Sequence, residues 1–177
     1  MPKGYDITGK VESYNPNVKP TIKLMQGSVE AYAVDPADIV AESTGGGKII
    51  HKFTFKNVLP GTYDLVVTKD AHLKYTIKNV VVGDANIDLT TDTYAGKAYQ
   101  MIKLLVGDVN GDELINNLDY AEVMDPSNFN KAYTKYGSVG NALTDVDGDG
   151  MINNLDYALI LDPTHFNKTS SACSVTY

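Results

Sequence analysis

Two stretches of the chain place oxygen-bearing side chains at the spacing a hard cation requires. In residues 108–119, Asp108, Asn110, Asp112, Asn116 and Asp119 fall at loop positions 1, 3, 5, 9 and 12, with the Leu114 carbonyl at position 7. In residues 145–156 the same positions hold Asp145, Asp147, Asp149, Asn153 and Asp156, with the Met151 carbonyl. Calcium takes about six to eight oxygen ligands, and an EF-hand-type loop supplies them at this spacing. One Asp/Asn/Gly cluster makes an ordinary turn, whereas two in register predict two calcium ions. The seven carboxylates at ligand positions equal the formal net charge of -7, so the acidity is local and the remainder of the chain is neutral.

The loops differ in detail. Position 6 normally needs a left-handed backbone, which glycine adopts without steric cost. Gly150 stands there in the second loop and Glu113 in the first. With four ligand-position carboxylates against three and no backbone penalty, loop 2 is expected to bind calcium more tightly. Both loops end in Asp rather than the usual Glu, and no helix enters them, because the residues before Asp108 read as a strand end. Ile115 and Ile152, at position 8, are expected to pair the loops across a short bridge.

The elements around the loops follow from periodicity. Residues 5 to about 105 read as strands, with alternation in Ile7/Gly9/Val11, Val29/Ala31/Ala33, His51/Phe53/Phe55 and Tyr63/Leu65/Val67. Gly45-Gly46-Gly47 separates two strands, and Pro60-Gly61 predicts a tight turn joining the Phe55 strand to the Tyr63 strand. This predicts an antiparallel β-sandwich. After Leu104-Leu105-Val106 the character changes, which sets a boundary between residues 1–105 and 106–177. The second part repeats itself at a spacing of 37: residues 115–131 and 152–168 agree at twelve of seventeen positions. Such a repeat predicts two copies of one unit related by an approximate two-fold axis. Short helical patterns follow each loop, so this part is expected to be all-α, with two calcium loop-helix repeats.

The paired loops ending in Asp, the GDVNGD opening and the repeat resemble the dockerin family of bacterial cellulosomes. The upstream FTFKNVLPGTYDLVVTK string looks like the prealbumin-like sandwich of carboxypeptidase regulatory-type domains, a form taken by X modules that precede some dockerins. The resemblance implies a non-catalytic module that binds a cohesin of a scaffoldin or cell-surface anchoring protein in the presence of calcium. It implies an extracellular place for the chain and a monomer before cohesin binding. Two departures stand out. Asp125-Pro126 and Asp162-Pro163 should stop each helix and begin a new short one, and the insert AYTKYGSVGNAL separates the repeats.

A helix over residues 118–125 places Leu118, Ala121, Glu122 and Asp125 opposite Tyr120, Val123 and Met124. The second copy sets Leu155, Ala158, Leu159 and Asp162 opposite Tyr157, Ile160 and Leu161. With the tyrosine sides packed inward, Leu155 and Leu159 form an outward apolar patch. The family places recognition at loop positions 10 and 11, here Asn117/Leu118 and Asn154/Leu155. Glu122 is the counterpart of Leu159, which makes helix 2 the more apolar face and the expected main contact.

Other classes find less support. There is no basic stripe for nucleic acid and no apolar run of membrane-spanning length. His51, His72 and His165 sit in unrelated contexts, and no nucleophile elbow or phosphate loop is visible, so an enzyme is not expected. An intracellular calcium sensor would need an entering helix. A carbohydrate-binding sandwich is the alternative, since twelve tyrosines could stack on sugars, although Trp is absent. Met-Pro-Lys opens the sequence without a secretory leader, and the chain reads as an excised piece of a larger secreted protein. Cys173, the single cysteine, reads as a bystander.

Overall fold

The structure is a computed structural model that describes residues 3–94, 96–132 and 142–177. The insert between the repeats falls largely outside the described residues.

The N-terminal alternation produces seven principal strands: β1 (Tyr5–Tyr14), β2 (Thr21–Gln26), β3 (Val29–Ala33), β4 (Val40–Gly45), β5 (Lys48–Val58), β6 (Gly61–Thr68) and β7 (Tyr75–Val82). Shorter segments follow as β8 (Ile87–Asp88), β9 (Thr93–Tyr94), β10 (Lys97–Ala98) and β11 (Ile102–Lys103). One sheet runs β11-β1-β5-β4, with β8 also on β1; the other runs β7-β6-β2-β3. Side chains alternate between the two faces of a strand, so Ile7 and Val11 of β1, Phe53 and Phe55 of β5, and Leu65 and Val67 of β6 fill one core between the sheets. Gly9 lies opposite Phe53, whose ring passes where a Cβ would be, 2.4 Å from Cζ.

The Pro60-Gly61 turn does not make a hairpin. β5 and β6 lie in different sheets, so the segment is a crossover. Asn57 leaves the ladder with φ of 56°, Leu59 N donates to Tyr32 Oη (3.0 Å) and Tyr63 Oη donates to the Leu59 carbonyl (2.9 Å). Tyr63 and Tyr99 are buried, and Tyr5, Tyr32, Tyr75, Tyr94 and Tyr177 pack against the same core. These tyrosines fill space and cap strands.

The expectation of an all-α C-terminal part is overturned. Strands hold 44% of the residues against 15% in helices, and only two α-helices form among the described residues: α1 (Asn117–Met124) and α2 (Asn154–Ile160). The reason is local chemistry. Each helix starts at a capping box, Asn116 with Asp119 and Asn153 with Asp156, and each stops after about two turns. Pro126 pushes Asp125 out of helical geometry, to ψ of 133°, while α2 ends at Leu161, before Pro163. Asp125 and Asp162 accept the backbone N–H two residues on (2.8 and 2.7 Å), but the chain continues in turns rather than new helices.

The rest of this part is extended. β12 (Lys131–Ala132) pairs with β13 (Met151–Ile152), and β14 (Ser174–Thr176) runs parallel to β7 at the sandwich edge. Ile115 and Ile152 do not bond each other. Asn167 N donates to the Ile115 carbonyl and Asn130 N to the Ile152 carbonyl, both at 2.8 Å. Each loop is therefore closed by the segment that follows the other repeat's helix. The donors are themselves separated by 37 residues, and both have left-handed backbones, φ 57° and 59°.

A second core gathers Val106, Val109, Ile115, Val123, Val146, Ile152, Ile160 and Cys173 with Leu73 of the sandwich. Tyr14, Ala71 and Tyr75 pack against it, so the sandwich forms one wall. Leu73 N donates to the Leu105 carbonyl (2.9 Å) and Gly107 N to the Ala71 carbonyl (2.8 Å). Cys173 is a buried core residue, its thiol pushed up by burial. Among the described residues no helix is long and apolar enough to cross a membrane.

Candidate metal centre

The two acidic loops follow one backbone course. Gly111 and Gly148 turn the chain at position 4 with φ of 76° and 75°. At position 6, Gly150 has φ of 92° and Glu113 has φ of 66°. Glu113 thus occupies the left-handed region that costs a side chain about 1–2 kcal/mol.

The terminal Asp organises each loop from its far end. Asp119 accepts from Val109 N (2.7 Å), Asn110 N (3.1 Å) and Asn116 N (2.8 Å). Asp156 repeats this with Val146 N (2.7 Å), Asp147 N (3.3 Å) and Asn153 N (2.8 Å). Both carboxylates are fully buried, and burial raises both above the ordinary carboxylate range, Asp156 to about 7. At position 1, burial raises Asp108 and Asp145 to about 6, with Asp119 adding repulsion at Asp108. Asp147 is raised by the same cause. Anionic groups buried together in this way call for a compensating cation.

Two observations test whether a cation fits. Ligand oxygens of Asp145, Asp147 and Asp149 all lie within 4.8 Å of one another, a group that could hold a metal ion. In the first loop, Asp108 Oδ1 is buried without a hydrogen-bond partner, the condition of a ligand atom whose partner is not a protein group. Its other oxygen accepts from Glu113 N (3.2 Å). The donor set is all oxygen, which suits calcium or magnesium over zinc. The remaining ligand-position side chains are also engaged in the loop. Asn110 Oδ1 accepts from Asp112 N (3.0 Å), Asp112 from Leu114 N (2.9 Å), Asp147 from Asp149 N (3.0 Å) and Asp149 from Met151 N (2.7 Å). Asn116 and Asn153 accept from Leu118 N (2.6 Å) and Leu155 N (2.8 Å), so position 9 caps the helix that follows.

The helices beyond the loops turn one side inward. Val123 and Ile160 are buried, and Tyr120 and Tyr157 meet edge to face at 5.9 Å. On the other side Asn117, Leu118, Ala121 and Glu122 are exposed, as are Asn154, Leu155 and Ala158. Leu118 is 61% exposed and Leu155 53%. Leu159 lies half-buried against the second core, Asp162 is half-buried, and Leu161 is exposed instead.

Sequence reasoning missed what touches the loops from outside. Lys74 Nζ reaches Glu113 Oε1 at 2.7 Å. Asn15 and Asn17, in the β1–β2 turn, donate to backbone carbonyls of loop 2. Asn-Pro-Asn announces a turn, but nothing in its composition tells that the turn meets a loop some 130 residues away.

These features define a sandwich followed by a paired acidic-loop module. Residues 106–162 match the dockerin type I domain. Its fold is similar to that of two solved chains from Acetivibrio cellulolyticus, described as N-terminal and C-terminal interface mutants of a type II cohesin-X-dockerin complex. Identity is 22% and 24%, and each match covers 96% of this chain and 99% of the other with a TM-score of 0.60. At that identity the likeness is one of fold. No curated protein matches the chain.

Proposed function

We propose that the chain is a calcium-dependent protein-interaction module: residues 106–177 bind a cohesin, and residues 1–105 serve as a supporting X module. The observation that carries this is the pair Leu118 and Leu155, each exposed at position 11 of its acidic loop in a segment that matches a dockerin domain. Single exposed apolar residues are ordinary on a protein surface, and Val29 and Val40 are as exposed, so what sets this pair apart is its equivalent place in both repeats. Two calcium ions would be held by the ligand-position residues of the two loops. Bound calcium supplies positive charge that cancels the carboxylate repulsion. The chain's own residues then do the rest: Asp119 and Asp156 tie each loop to the first turn of its helix, which sets Leu118 and Leu155 at a fixed distance. The partner face comprises Asn117, Leu118, Ala121, Glu122, Asn154, Leu155 and Ala158. Helix 2 is kept as the main contact because Ala158 and Leu155 stand there without the exposed charge that Glu122 puts on helix 1. Leu159 and Asp162, half-buried, contribute less than the sequence led one to expect.

The proposed role is non-catalytic and extracellular, anchoring a component of a larger assembly to a scaffold or the cell surface. A pull-down of the full chain against a panel of cohesins, with calcium and with chelator, tests it. Retention in calcium and loss in chelator is expected, with Leu155→Asp weakening retention more than Leu118→Asp. Capture that survives exhaustive chelation would refute the calcium dependence, and no capture by any cohesin would refute the partner.

A further inference from the structure

We propose that the β1–β2 turn of the sandwich is a positioning element for the second acidic loop, with Asn15 and Asn17 holding that loop in its cation-binding shape. The inference rests on the calcium reading above and adds residues from outside the dockerin segment. Asn15 Nδ2 donates to the Asp145 carbonyl at 3.1 Å, and Asn17 Nδ2 to the Gly148 carbonyl at 2.7 Å. Amides of the same short run serve the carboxylate: Gly148 N and Gly150 N donate to the two oxygens of Asp145 at 3.0 and 3.1 Å. One stretch of backbone is thus gripped by the sandwich through its carbonyls while its N–H groups wrap a ligand carboxylate.

The turn that does the gripping is itself fixed. Lys69 Nζ, buried at the end of β6, donates to Ser13 Oγ (2.9 Å) and to the carbonyls of Tyr14 (2.5 Å) and Asn15 (2.8 Å). Burial lowers the Lys69 ammonium to about 7 against the opposing charge of Asp70, but three acceptors around one Nζ favour the charged donor. Asn15 takes a left-handed backbone, φ 60°, and its Oδ1 accepts from Asn17 N at 3.1 Å. The fit is close enough to exclude side chains. A Cβ on Gly148 would stand 2.5 Å from Asn15 Oδ1, and one on Gly47 would stand 2.9 Å from the Asp147 carbonyl oxygen.

Carboxylates crowded within 4.8 Å repel, and a loop free to relax would open. Each bond that keeps it closed removes part of the ordering cost of binding. Among the described residues, loop 1 has no counterpart to these two amides. Its side-chain tie to the sandwich is the exposed Lys74–Glu113 pair.

The test is a calorimetric calcium titration of the full chain in an Asp108→Ala background, so that only loop 2 reads out. Asn15→Gly, which keeps the left-handed backbone, combined with Asn17→Ala should weaken loop 2 about tenfold. Asn17→Ala alone, the milder change, should weaken it about threefold, and Asn17→Gln, which restores a donor, should recover most of that loss. In an Asp145→Ala background the same changes should leave loop 1 within about twofold, since they touch nothing there. Unchanged loop 2 affinity in the Asn17→Ala protein, or equal weakening of both loops, would overturn the proposal. If the Asp108→Ala protein bound no calcium before any Asn was changed, the calcium reading of loop 2 would fall, and this inference with it.

Discussion

The two acidic loops share a backbone path, a capping Asp and a reciprocal closing bond, yet the sandwich holds them in different ways. Loop 1 is touched through side chains: Glu113 sits at a strained position and reaches Lys74 at 2.7 Å, with both side chains substantially exposed. Loop 2 has Gly150 at that position and is gripped through its backbone by two amides on a turn anchored by Lys69. The same repeat unit can therefore be tuned by its setting. An exposed ion pair contributes little, about 0–1 kcal/mol, whereas bonds that fix backbone geometry act directly on the cost of closing a loop.

The largest way to probe this comparison is through the part the loops share. Ile115→Ala and Ile152→Ala each remove a fully buried side chain from the second core and should each cost about 2–5 kcal/mol. Urea unfolding should give losses within about 1 kcal/mol of each other. A much larger loss at one site would break the equivalence of the repeats.

Next in size is a pH effect on the loop 1 side. His72 sits on the β6–β7 turn, bridges to Val106 and accepts Tyr14 N–H at Nε2 (3.1 Å). Burial lowers it from 6.5 to about 3, with the charges of Lys69, His165 and His51 acting in the same direction. A base depressed on folding contributes stability that is full above 6.5 and drains as pH falls toward 3. The loss between pH 7 and pH 5 should be about 2 kcal/mol for this group. His72→Gln, which cannot protonate, should shrink the pH 7 to pH 5 difference in unfolding free energy by that amount; an unchanged pH dependence would refute it.

The affinity difference itself comes third. The site left in Asp108→Ala, loop 2, should bind calcium about tenfold more tightly than the site left in Asp145→Ala, about 1.4 kcal/mol by calorimetry. The reverse order would overturn the ranking of the loops. Smallest is Glu113→Gly. It relieves a left-handed side chain worth about 1 kcal/mol and gives up an exposed ion pair worth less. Loop 1 affinity should rise about threefold, narrowing the gap between the sites.

How much of this could be read from residues alone depended on range. The 37-residue repeat, the sandwich alternation and the stop at Pro126 are local signals, and each reappears in the fold. The all-α expectation failed because helical patterns after the loops span only about two turns, while the turns and strands around them are set by partners elsewhere. Ser174–Thr176 is three residues long and becomes a strand only beside β7. The expected bridge between Ile115 and Ile152 does not form, because the donors to their carbonyls are Asn167 and Asn130 in exchanged repeats. Asn15, Asn17 and Lys69 carry no motif, and their importance exists only in three dimensions.

The exchanged bonds also set a schedule. Loop 1 is closed by Asn167, so when the chain appears N-terminus first the first loop cannot make its closing bond until the second repeat has followed it. Loop 2, closed by Asn130, finds its partner already made. The copy that is later in sequence can be finished first in time.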